Sequence, residues 1–411
     1  MSRFGLYWSS ATASYLGDGV RFAALPLLAA SLSSSPGDVA LVSVAVGLPW
    51  LLFGLVAGVI VDRVQRARLM ATVQAARAAV GGALVVTVAT GRLTIPLLVL
   101  LVFLLCTCEV LYDVAAHAVL PAIVERPRLQ WANGRLITAE VVTFEFAGPA
   151  LGGVLFAVAA ALPFAVDAAT FLASAVLLLL VARGLAGTAT PSTGAVHAPL
   201  SIGTELLEGF RWFWGQQLVR ALTLLAVAIN LGAGGFYAIL VLFVQRELSF
   251  GPAGYGLLIA VSAAGSVAAG LLADRVSTGR DRRLVVVLAA PAVSACFAAI
   301  AARPDVTLTA TAMVAFGFAV TLTNVIAVSL RQLVTPDNIL GRVTSVHRFL
   351  CWGALPLGAA AAGAVGDALG VRAAVAACAV AVAAVGLATV RPLLHAGAAA
   401  YAPRQPVIEA H

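Results

Sequence analysis

Apolar stretches of about twenty residues alternate with short polar gaps along almost the whole chain. The pattern predicts twelve helices, over roughly 8–32, 38–61, 68–90, 95–120, 136–160, 163–183, 218–245, 252–273, 283–302, 305–333, 340–365 and 368–391. At about 1.5 Å per residue, each covers a hydrocarbon core roughly 30 Å thick. The expected fold class is therefore an all-α polytopic membrane protein with twelve transmembrane helices, embedded in a lipid bilayer.

The polar gaps are not all alike. Gly58, Asp62, Arg63 and Arg66 follow the second apolar run, and Gly270, Asp274 and Arg275 follow the eighth with the same Gly-x-x-x-Asp-Arg core. Gly134-Arg135 and Pro149 recur with equal internal spacing as Gly341-Arg342 and Pro356. Features repeating at a half-chain offset indicate a duplicated unit and, in a membrane protein, two homologous halves about a central axis. The division is 1–183 for the first six-helix half, 184–217 for a linker, 218–393 for the second half and 394–411 for a tail. Within the linker, Ala186 to Pro199 is rich in Gly, Ser, Thr and Pro, a flexible composition. Ser201 to Trp214 spaces Ile202, Leu206, Phe210 and Phe213 as a short amphipathic helix lying on the membrane face.

Charge fixes the orientation expected. Arginines crowd the even-numbered gaps (Arg63, Arg66, Arg68; Arg126, Arg128, Arg135; Arg275, Arg280, Arg282, Arg283), whereas the odd-numbered gaps hold only Arg92, Arg246, Arg303 and Arg372. The positive-inside rule then puts both termini and the even loops in the cytoplasm. The first apolar run lacks a basic leader and is too long for a cleavable signal. Composition agrees, with 62% hydrophobic and 10% charged residues, far from the soluble norm. The net charge of +7 is spread among the loops, so no nucleic-acid partner is expected. The five cysteines sit in apolar runs without metal-ligand spacing and read as small apolar residues. With no metal cluster, no phosphate loop and no Ser/His/Asp arrangement, the sequence suggests neither an enzyme nor a cofactor, and it excludes an ATP-driven pump.

Ionisable residues inside the apolar runs are costly and are functional candidates. Asp18 and Arg21 share a face of the first helix at i and i+3 and can pair. Glu109, Asp113 and His117 form a stripe on the fourth, and Glu140 and Glu145 lie on the fifth, with Glu145 near mid-membrane. Arg77 and Arg348 are the basic counterparts on the third and eleventh. The competing reading is that these groups are static pairs holding helices together, and Asp167 reads as structural, an acid suited to a helix start. The acids concentrate in the first half, leaving the second to supply apolar and aromatic lining from Phe236, Tyr237, Phe316, Phe318 and Trp352.

Twelve runs, two repeated halves and the Gly-x-x-x-Asp-Arg loops resemble the major facilitator superfamily. Leu16-Gly17-Asp18, Asn133-Gly134-Arg135, Gly148-Pro149-Ala150-Leu151-Gly152-Gly153, Leu330-Arg331-Gln332 and Leu340-Gly341-Arg342-Val343 are similar to its enterobactin-exporter-like and macrolide-efflux-like branch. The resemblance implies a bacterial cytoplasmic-membrane transporter that acts as a monomer. It further implies that Asp62 caps the start of the eleventh helix near Gly341, and Asp274 the start of the fifth near Gly134, when the cytoplasmic side is closed, with Arg63 and Arg275 bridging loops. Gln65 and Ala67 depart from the family's loop pattern. Gly148, Pro149, Gly152 and Gly153 resemble the fifth-helix signature of drug/proton antiporters, a packing motif that tracks with export. The fourth-helix arginine of many antiporters is absent, with Arg21 or Arg77 as substitutes.

The expected function is alternating-access export of a small organic molecule (a siderophore, antibiotic or drug-like compound) by proton antiport. Asp18, Arg21, Glu109, Asp113 and Glu145 are the candidates for proton and substrate handling. An uncoupled facilitator or importer is the alternative, and a non-transporting sensor a remote one.

Overall fold

The computed structural model describes residues 2–62, 64–125, 128–185, 210–276 and 280–395. All regular structure among them is helical, in twelve long rods and a short helix over 210–215. The first half comprises α1 (Arg3–Leu32), α2 (Pro36–Asp62), α3 (Arg66–Ala89), α4 (Ile95–Ile123), α5 (Leu129–Val158) and α6 (Leu162–Leu185). The second comprises α7 (Gln217–Arg246), α8 (Pro252–Val276), α9 (Arg280–Ala302), α10 (Val306–Val334), α11 (Asp337–Leu369) and α12 (Val371–His395). Local chemistry sets many ends. Ser2 Oγ accepts from Gly5 N at 3.1 Å to cap α1, and Asp305 Oδ1 accepts from Leu308 N at 2.9 Å to cap α10. Gly370, at φ +88°, turns the chain sharply from α11 into α12. The fifth helix starts at Leu129, several residues before the predicted 136.

Eleven of the rods are long and apolar enough to cross a membrane; α1 is the exception. Its 30 residues suffice for length. Its apolarity is diluted by Ser10, Ser14, Asp18 and Arg21, which are buried inside the bundle. A helix enclosed by neighbours can carry polar groups that a lipid-facing helix cannot.

The halves meet through α2 against α11 and α5 against α8. These contacts gather on the face opposite the termini. Asp367, near the end of α11, accepts from Ser35 Oγ at 2.9 Å and from Gly37 N at 3.2 Å, at the start of α2. Arg246 at the end of α7 donates to the Ser34 carbonyl. Deeper in, Trp50 meets Trp352 with centroids 4.4 Å apart. A Cβ on Gly153 would come within 3.0 Å of the Gly256 Cα. On the terminal face the halves part: a Cβ on Gly58, Gly134 or Gly270 would meet nothing within 4 Å. Leu271 is 78% exposed there. The latch contacts implied by family resemblance fall on Arg63, on the surroundings of Gly341 and on the side chains of Asp62 and Asp274, which lie outside the described residues; Arg275 is exposed. Residues 186–209 of the linker lie outside them as well. Just after it, Phe213 is buried against Val219, Val343 and Val346, while Phe210 remains 43% exposed.

Candidate functional site

Two glycines flank Asp18 on α1 and bring neighbouring helices onto either side of it. Gly17 lies against Asp167 and Thr170 of α6. Gly19 lies against the backbone of Phe144 on α5, where a Cβ would come within 2.7 Å of its carbonyl oxygen. The small residues let backbones approach closely and turn Asp18 toward α3 and α4.

At Val141–Ala147 the fifth helix widens into a π-helical segment. Pro149 supplies the reason, since its ring would clash with the Glu145 carbonyl and it has no N–H to donate to it. Gly148 N instead donates to Thr143 O, five residues back. Gly148 and Gly152 then pack on Gly19 and Val20 of α1, while Gly153 faces Gly256 of α8. The signature thus forms a seam joining α5 to its own half and to the other one.

Around Asp18 lies a buried charge cluster drawn from four helices. Arg21 Nη2 donates to Asp18 Oδ1 at 2.6 Å and to Glu109 Oε2 at 2.8 Å. Arg77 Nη2 donates to the same two oxygens, at 2.5 and 3.1 Å. Two guanidiniums and two carboxylates therefore alternate around a closed ring. Asp167 of α6 adds a third carboxylate, with Oδ2 at 3.3 Å from Arg21 Nε. Arg77 has no exposed side-chain surface and stacks 3.9 Å over the Phe171 ring. A polar track supports the ring from beneath. Gln74 Oε1 accepts from Arg77 Nη1 at 3.2 Å, and Gln74 Nε2 donates at 2.9 Å to both Ser14 and Ser174. Ser14 Oγ in turn donates to Asp18 Oδ2 at 3.3 Å.

Chemically, this arrangement can hold one proton more than a neutral set of ion pairs would need. Three carboxylates face two guanidiniums, so full ionisation leaves one uncompensated negative charge in a low-dielectric interior. A proton on one acid removes it. Asp167 Oδ1 is buried with no hydrogen-bond partner. Glu109 is the member in contact with the outside of the cluster, its side chain 28% exposed. Nine residues separate it from Leu100, which is 52% exposed. That is about half a turn of phase at roughly 100° per residue, so Glu109 points away from the outward face of α4.

The structure thus brings Asp18, Arg21 and Glu109 together and adds Arg77, Asp167 and Gln74. Asp113, a turn along α4, and Glu145, in the π segment, are half-buried without an ion pair among the described residues. Glu140 is exposed, and the His117 side chain lies outside the described residues. Asp167 was expected to suit the start of its helix. With α6 beginning at Leu162 it sits past the first turn, where the helix dipole has faded, and it faces Arg21 instead. Its one sequence signal was a carboxylate within an apolar run. The aromatic lining also divides: Phe236 and Phe316 are buried against Phe297 in the second half's core, whereas Tyr237 reaches Phe22 across the halves at 5.9 Å. Among the described residues no His, Cys, Asp and Glu group could hold a metal ion.

The fold is shared with solved transporters. Over 95% of this chain and 98% of the other, it superposes on a bacterial homologue of the iron transporter ferroportin in an inward-facing state, at TM-score 0.74 and 16% identity. A bacterial Spinster homologue, inward-facing and occupied, gives 0.68 at 16% identity, covering 97% and 95%. The nucleoside transporter NupG gives 0.66 at 13%, covering 95% and 100%. In sequence, the chain is 28% identical over 392 residues to the multidrug efflux pump Tap of Mycobacterium tuberculosis (strain ATCC 25618 / H37Rv), covering 91% of this chain and 90% of that protein. The Tap of Mycobacterium bovis (strain ATCC BAA-935 / AF2122/97) matches equally. The family model described as "Transmembrane secretion effector" matches residues 1–410, and the chain belongs to that family, a multi-pass transporter branch of the major facilitator superfamily.

Proposed function

We propose that the protein exports a small organic molecule from the bacterial cytoplasm by proton antiport, with both termini cytoplasmic. The observation that carries the reading is the odd negative charge of the buried ring formed by Asp18, Arg21, Arg77, Glu109 and Asp167. A purely structural ion-pair set has no use for a surplus carboxylate in a dry interior, whereas a carrier that binds and releases one proton per cycle requires one. Kinship with Tap pumps supports export of drug-like compounds. The halves, closed on one face and parted on the other, suit alternating access about a midplane site. Burial and neighbouring arginines act in opposite senses on a carboxyl's proton affinity, so opening to either side can load or release the proton.

The experiment is accumulation of dyes, macrolides and siderophores in an efflux-deficient host, with and without an uncoupler. Lower accumulation that the uncoupler abolishes is expected, and Asp18→Asn or Glu109→Gln is expected to remove it. Export indifferent to the uncoupler would replace antiport by a facilitator, with the ring a static brace. Asp18→Asn and Glu145→Gln both leaving coupled export intact would remove those residues from the coupling step.

A further inference from the structure

Unlike Arg21 and Arg77, Arg348 of the second half has no carboxylate beside it among the described residues. Arg348 lies on α11 about 16 Å along the helix from Asp337, at about 1.5 Å per residue. It is exposed and has no hydrogen bond or ion pair among the described residues. The second half offers it no acid: Glu247, Asp274, Asp281, Asp305, Asp337 and Asp367 all sit at or beyond helix ends. Its nearest titratable neighbours are Arg331 of α10, a second cation, and His347, whose ring bonds Thr223 of α7 at 3.0 Å.

Arg348 opens onto a cleft of about 120 Å³ where α2, α4 and α11 meet. Trp50 and Gly54 of α2, Val114 of α4, and Ser345, Phe349 and Trp352 of α11 complete its walls. The cleft lies beside the Trp50–Trp352 contact, where the halves begin to part toward the terminal face. An apolar cavity of about 150 Å³ accepts benzene, so this cleft, open on one side, accepts a single ring with its substituents projecting. An unpaired cation six residues inside the candidate span Arg342–Leu369 and bordered by aromatic side chains is costly unless a ligand completes it, and a guanidinium's planar fork grips a carboxylate or phenolate through two hydrogen bonds.

We propose that this cleft is the subsite for the charged end of an aromatic organic anion, with Arg348 holding the anionic group and Trp50 and Trp352 flanking the ring. The inference rests on the export reading only in calling that ligand a substrate. The N-terminal charge ring and this subsite are then separate: one handles the proton, the other the anion.

Binding of two planar dyes, anionic fluorescein and cationic ethidium, to the purified full chain in lipid nanodiscs tests this by fluorescence anisotropy. Saturable fluorescein binding is expected in the wild type, weakened about tenfold or more in Arg348→Gln, as for loss of a charged hydrogen-bond pair. Arg348→Lys should keep part of the affinity. Ethidium binding should stay within about twofold of the wild type. Trp352→Leu, which keeps the charge, should also weaken fluorescein, and it serves if Arg348→Gln does not fold. Unchanged fluorescein affinity in Arg348→Gln, an equal loss for ethidium, or no fluorescein binding by the wild type would each overturn the subsite. Because binding is read without transport, failure of export in cells would leave this result standing, and failure here would leave export standing.

Discussion

Replacing Arg77 with Met tests whether the buried ring is one interacting unit. Met keeps most of the volume and removes the charge. The structure counts the losses: ion pairs to Asp18 at 2.5 Å and Glu109 at 3.1 Å, a hydrogen bond to Gln74 at 3.2 Å, and the stacking on Phe171. Both carboxylates keep Arg21, so the penalty should fall at the low end of that for breaking a buried pair, about 3 kcal/mol. Charge counting sharpens the expectation. Three acids against two bases become three against one, so the variant must take up one more proton to be neutral. Removing an acid restores the wild-type surplus of a single carboxylate, and Asp18→Asn in the Arg77→Met background, where only the pair with Arg21 is left to lose, should cost far less than in the wild type. The coupling energy should reach about 1.5 kcal/mol or more. The assay is SDS unfolding in mixed micelles followed by tryptophan fluorescence, for wild type, both single variants and the double variant. A loss below about 1 kcal/mol for Arg77→Met, or strictly additive costs, would refute the picture of a coupled ring.

Three further outcomes follow from the geometry. Asp367→Ala should remove the cap that joins α11 to the start of α2, a gain for the other conformation of about 1 kcal/mol, or roughly fivefold. Spin labels on the outer ends of α2 and α11, read by electron–electron double resonance, should show a larger long-distance population; an unchanged distribution would remove Asp367 from the closure. Gly19→Ala places a Cβ within 2.7 Å of the Phe144 carbonyl oxygen, and Gly148→Ala places one within 2.6 Å of the Gly19 Cα. Each should lower the unfolding midpoint and transport, whereas Gly58→Ala, with open space around it, should leave the midpoint within experimental scatter. Gln74→Leu should leave Arg77 Nη1, Ser14 and Ser174 without their shared partner and cost about 1–3 kcal/mol in the same SDS assay, with full stability contradicting the bracing role.

The sequence by itself determined what depends on solvent and on neighbours along the chain. Apolar run length against bilayer thickness predicted twelve rods, including α1, whose composition alone falls short of a spanning helix. The pairing of Asp18 with Arg21 followed from a separation of three residues on one helix. Pro149, with no N–H to donate, disturbs its helix whatever surrounds it, and the response is a π segment. Tertiary structure decided everything that joins distant helices. Arg77 meets Asp18 across 59 residues and Glu109 across 32, and Gln74 meets Ser174 across 100. In helices that are apolar on every face, periodicity does not reveal which side turns inward. Asp167 therefore read as a helix-start acid until packing set it against Arg21, and Phe236 read as cavity lining until the core enclosed it. Arg348 is the converse: its sequence position marked it as costly, and the arrangement of α2, α4 and α11 left it facing a cleft instead of a carboxylate.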